Sequence, residues 1–69
     1  MERRITPRQR EVVQLVAAGQ TNDEIAATLG ISSRTVKAYT DELRRRLGVA
    51  RRRQIPSAYL RLTGEAPLA

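Results

Sequence analysis

Four glycines, Gly19, Gly30, Gly48 and Gly64, each close a stretch whose apolar residues recur at helical spacing, and three of those stretches open on Thr6, Thr21 or Ser32. A hydroxyl at the N-cap accepts a hydrogen bond from an orphan N–H of the first turn, and a glycine just past the last turn ends a helix in the left-handed conformation. This punctuation predicts an all-α chain of four helices. Thr6 and Pro7 open the first, with Val12, Val13, Leu15 and Val16 as its buried face over roughly 7–18, and Arg8, Gln9, Arg10 and Glu11 toward solvent. Thr21 and Glu24 make a capping box for a short second helix, buried through Ile25, Ala26 and Leu29. Ser32 caps a longer third helix with Val36, Tyr39, Thr40, Leu43 and Leu47 on one side. Arg51, Arg52 and Arg53 then form a connector. Ile55, Ala58, Tyr59 and Leu62 predict a fourth helix over about 54–63, and the tail from Glu65 to Ala69 is expected to fray.

The basic residues are not spread evenly over these elements. Residues 34–53 hold eight Arg or Lys against Asp41 and Glu42 alone, which accounts for the whole net charge of +6, while the segments on either side are neutral. Such a concentration, lying behind the Gly30 break, suits a surface that meets a polyanion. Twelve of the thirteen basic residues are Arg, whose guanidinium fork grips phosphate oxygens in pairs. General solubility charge would be distributed more widely.

Composition narrows the classes further. A chain of 69 residues has room for one small core and no deep pocket. It has no Cys and no His, which removes thiolate metal sites, the commonest metal ligand and the commonest general base, so neither catalysis nor a cofactor is expected. The longest apolar run, Leu15 to Ala18, is far too short for a membrane span, and no signal peptide opens the chain. A cytoplasmic location follows as an expectation.

Between Ile25 and Val36 the spacing fits a helix-turn-helix: Ala26 where two backbones approach, Gly30 in the turn, and Ile25, Leu29, Ile31 and Val36 to lock both helices to the first. An ordinary helical hairpin would share this geometry, but not a charged segment that begins on the second of the two helices. The chain also resembles the LuxR-type (LuxR/FixJ or GerE-type) DNA-binding domain of bacterial transcription regulators. The resemblance is carried by Ile5-Thr6-Pro7-Arg8 with Glu11-Val12, Gly19, Asn22-Asp23-Glu24-Ile25-Ala26, Leu29-Gly30-Ile31-Ser32, Thr35-Val36-Lys37, and Leu47-Gly48-Val49 with Arg52. It spans residues 5 to about 62 and implies one four-helix domain over 1–69, with a core of 5–64, whose third helix enters the major groove. It further implies double-stranded DNA as the partner, a nucleoid-associated location, a homodimer through the fourth helix and a contact to RNA polymerase; family members usually carry a receiver or ligand-sensing domain ahead of this one, so the chain is expected to be either a fragment of a larger regulator or a stand-alone one. The chain departs from the family pattern at Gln9, where Glu is usual, at Tyr39, where His is frequent, at Arg51, and at Pro56, which must fall in the first turn of its helix and weighs against dimerisation there.

With Val36 at the centre of the buried face and 100° per residue, Arg34, Ala38, Asp41 and Arg45 face outward, with Lys37 and Arg44 on one flank. Lys37, Ala38, Asp41 and Arg34 are therefore the expected base readers, and the resemblance points to the positions of Lys37, Ala38 and Asp41 as well. A lysine would meet guanine acceptors and an alanine methyl a thymine methyl; Asp41 either accepts from a cytosine amino group or pairs with Arg44 or Arg45 along the helix. Phosphate contacts are expected from Thr21, Asn22, Ser32, Ser33, Thr35, Arg45, Arg51 and Arg52, and the dimer face from Ile55, Ala58, Tyr59 and Leu62. Two other readings stand beside this one. A sigma-factor promoter-binding region shares the Thr-Pro-Arg opening and the Gly-centred turn but ordinarily lacks Leu47-Gly48-Val49 and a fourth helix. A protein-interaction module would meet an acidic partner through the basic face, with incidental DNA affinity.

Overall fold

The computed structural model describes residues 5–64, so the charges at Glu2, Arg3 and Arg4 and the expected fraying of Glu65–Ala69 lie outside the described residues. Four helices follow in order: α1 Pro7–Ala17, α2 Asn22–Leu29, α3 Ser33–Leu47 and α4 Ile55–Thr63, with a single 3-10 turn at Arg52–Gln54 ahead of the last. The connector through Arg51–Arg53 is thus partly helical. No strand occurs among the described residues.

Each boundary has a chemical cause. Thr6 accepts from the Gln9 N–H at 3.1 Å, and the Gln9 side chain returns the bond to the Thr6 N–H at 3.0 Å. Gln9 is therefore buried, at 6% exposure, rather than on the solvent side where the sequence placed it. An amide folded back on the helix end satisfies itself locally and can leave water. Thr21 and Glu24 form the same reciprocal pair at α2, and Ser32 caps α3 by accepting from the Thr35 N–H at 3.1 Å. Gly30 has φ +70°, and the Ile31 N–H beyond it reaches the Ala26 carbonyl at 3.0 Å, so the chain reverses in one residue. Pro56 sits in the first turn of α4, where its missing N–H leaves no bond unmade.

Two apolar clusters join these helices. Val12, Val13, Leu43, Ile55 and Tyr59 bring α1, α3 and α4 together; Ile25, Ala26 and Val36 seat α2 on the first half of α3. Val16 and Leu29 touch both clusters. Removing a Val, Leu or Ile side chain from water contributes about 1.5–3 kcal/mol, and six such side chains here are fully buried. Tyr59 adds a polar tie across the larger cluster, its hydroxyl accepting from Arg10 Nε at 3.3 Å.

Candidate nucleic-acid interface

The α2–turn–α3 unit presents one side of α3 to solvent because the other is fixed. Val36 and Leu43 are fully buried and Thr40 nearly so, its hydroxyl bonded back to the Lys37 carbonyl at 2.9 Å; Tyr39 and Leu47 pack at the edge. On the far side Arg34, Thr35, Lys37, Ala38, Arg45 and Arg46 are exposed and Asp41 is half-buried. The expected base readers thus share one outward ridge.

The charges on that ridge are organised. Asp41 takes Lys37 Nζ at 3.0 Å on one carboxylate oxygen and the Arg44 guanidinium on the other. Glu42 does the same for Arg45 at 3.1 Å and Arg46 at 2.9 Å. The sequence paired Asp41 with Arg44 or Arg45; its partners are Lys37 and Arg44, and Arg45 belongs to Glu42. Hydrogen bonds from Lys37 and Arg44 hold the Asp41 carboxyl below the usual carboxylate range. Of the α3 cations, Arg34 alone has no carboxylate partner among the described residues, and Arg51 and Arg53 beyond it have none either.

The expected phosphate ligands divide into two groups. Thr21, Ser32, Thr35, Arg45 and Arg51 are exposed. Ser33 already donates to the Asp23 carboxylate across the turn. Arg52 and Asn22 point at each other: the Arg52 guanidinium donates to Asn22 Oδ1 and, at 2.7 Å, to the Gln20 carbonyl. Both were expected to contact phosphate; within the protomer the half-buried Arg52 fork, with two fixed acceptors, is a clamp that ties the connector to the start of α2. Nothing local in the sequence marks a contact spanning thirty residues. The expected dimer face divides as well. Ile55, Ala58 and Tyr59 are buried inside the protomer, which leaves Leu62, with its neighbour Leu60, exposed at 45% and 43%. Arg46, Leu47, Ala58, Arg61 and Leu62 line a shallow cavity of about 280 Å³ between α3 and α4.

Comparison with known proteins places this geometry. The model of the luxR family of bacterial regulatory proteins, the GerE domain, matches residues 3–57. The chain belongs to that family. It is 44% identical over 45 residues to the transcriptional regulatory protein MctR of Rhizobium johnstonii, covering 65% of this chain and 21% of that protein. It is 40% identical over 55 residues to the two-component response regulator PprB of Pseudomonas aeruginosa, covering 80% of this chain and 20% of that one. A third relative, the uncharacterised transcriptional regulatory protein YhcZ of Bacillus subtilis, is 44% identical over 50 residues, 72% of this chain and 23% of the relative. The chain thus spans about a fifth to a quarter of the length of these relatives. No solved structure gives a significant match. The matched residues form a LuxR-type helix-turn-helix, a DNA-binding domain of transcription regulators, and no described helix is long and apolar enough to cross a membrane.

Proposed function

We propose that this domain binds double-stranded DNA sequence-specifically as part of a bacterial transcription regulator, with α3 lying in the major groove. One observation carries the reading. The side of α3 opposite its buried stripe is convex, basic and uncovered, and its centre is Ala38, small enough to let the helix sit deep between flanking cations. Arg34, Lys37, Ala38 and Asp41 would face base edges. Thr21, Ser32, Thr35, Arg45 and Arg51 would meet phosphates on either side, helped by the free N–H groups at the start of α3. Arg52 and Asn22 serve indirectly, by fixing the tilt of α2 against the connector. A homodimer through α4 would rest on Leu60 and Leu62, because the rest of that helix's apolar face is internal.

Selection of binding sites from a random duplex pool tests this directly, and an enriched consensus is the expected result. With Arg45 and Arg51 each neutralising a phosphate, affinity for the selected site should fall with salt on a log–log slope of about −2, steeper by about 0.9 for each further cation that reaches a phosphate. Retention of no sequence above the random background would leave a basic module without a code, and the proposal would fail. A palindromic consensus with half-sites about one helical turn apart would add the dimer.

A further inference from the structure

A carboxylate in the middle of a surface that faces a polyanion repels what the surface must hold. Asp41 lies on the outward side of α3, one turn beyond Lys37, and its two cations are not equivalent. Arg44 is anchored: it also donates to the Ala50 carbonyl at 3.3 Å, and its Nε is buried. Lys37 is loose, with a side chain 68% exposed and Asp41 as its one carboxylate partner among the described residues. An exposed pair of this kind is weak, and a lysine N-terminal to the acid is the less favourable order along a helix. Asp41 is thus held fast from one side and holds Lys37 lightly on the other.

We propose that Asp41 is a specificity-determining residue that keeps Lys37 from DNA phosphates and releases it only where one base pair accepts both side chains. This rests on the reading of α3 as the groove-facing helix. The major-groove edge of a G·C pair sets guanine N7 and O6, acceptors for the ammonium, beside the cytosine amino group, a donor for the carboxylate. At such a pair both groups exchange one partner for another. Elsewhere a lysine that swings to a phosphate strands its carboxylate beside the polyanion, so the pair stays closed and Lys37 adds little to binding at arbitrary sequence. Glu42 provides the internal comparison. It holds Arg45 and Arg46 in the same manner, yet lies roughly 140° around the helix from Lys37.

The test measures affinity for a site selected by the wild-type chain and for a random-sequence duplex of equal length, across a salt series. Asp41→Asn keeps an acceptor for Arg44 while dropping the charge. It should raise random-duplex affinity on the order of tenfold, steepen that salt slope by about 0.9, and lower the ratio of selected to random affinity. Glu42→Gln makes the same change in net charge and should move both affinities together, leaving the ratio where it was. Lys37→Ala should be silent on the random duplex in the wild-type background and should abolish the gain in the Asp41→Asn background. An unchanged ratio in Asp41→Asn, or an equal change in Glu42→Gln, overturns the proposal. Should Asp41→Asn fail to fold, Lys37→Ala alone decides, since equal losses on both duplexes would mean that the lysine was never withheld. A wild-type chain that selects no sequence removes the groove reading itself, a different failure from a selective chain whose ratio ignores Asp41.

Discussion

The cluster of Val12, Val13, Leu43, Ile55 and Tyr59 joins three helices, whereas that of Ile25, Ala26 and Val36 seats one short helix on another. Around the larger cluster apolar contact between three helices does most of the fixing, and Arg10 bonds the Tyr59 hydroxyl across it. Around the smaller one polar ties accumulate: Arg52 to Asn22 and the Gln20 carbonyl, Ser33 to Asp23, and Thr28 to Gln20 at 3.2 Å. An eight-residue helix buries too few apolar atoms to fix its own direction, and directional bonds supply what non-directional burial does not. The difference separates two tasks. The larger cluster keeps the chain folded; the smaller, with its ties, sets the angle at which α3 is presented.

The comparison can be broken at its strongest point first. Leu43→Ala should cost about 3–5 kcal/mol in denaturant unfolding and leave little folded protein in so small a chain, while Ile25→Ala should cost about 2–3 kcal/mol. An equal or larger loss at Ile25 would contradict the division of labour. Next comes the clamp: Arg52→Ala, which strands the Asn22 amide oxygen and the Gln20 carbonyl, should cost about 1–3 kcal/mol. It should also lower amide-exchange protection in α2 before that of α1 or α4. Arg52→Lys sharpens the point, because it keeps the charge and loses the fork; full recovery of DNA affinity in that variant would make Arg52 a phosphate ligand after all. The caps are smaller, with Thr21→Ala and Ser32→Ala each expected to cost about 1 kcal/mol, read as a shift in unfolding midpoint.

Acid gives the smallest effect. The Asp41 carboxyl is held below its ordinary range, so its contribution to stability is complete above that range and disappears as pH falls through its folded-state value. A carboxyl titration followed by NMR should place the Asp41 midpoint below the ordinary carboxylate range, and Lys37→Ala should move that midpoint upward.

The helix ends were legible because they are decided within a few residues. Thr6, Thr21 and Ser32 cap where their spacing placed them, and Gly30 and Gly48 stop α2 and α3 in the left-handed conformation. The outward ridge of α3 was legible too, since one stripe of apolar residues on a helix settles which side faces water. Gln9 was misplaced because polarity is a poor guide once a side chain can bond its own helix end. The Lys37–Asp41 pair had a local signal, the four-residue spacing, but Arg45 stands at the same spacing on the other side of Asp41, so spacing alone does not choose between them. Arg52 and the α4 face had none. A guanidinium that reaches back to Asn22, and a stripe turned inward onto Val12 and Val13 rather than toward another molecule, are settled by how whole helices stack.

The bond from Arg10 to Tyr59 and the packing of Ile55 against α1 mean that the opening and closing helices brace each other behind α3. A peptide trimmed to the helix-turn-helix alone would leave Leu43 facing water on the side where two walls had stood. Any attempt to graft the outward face of α3 onto another scaffold must therefore carry the buttress along with it.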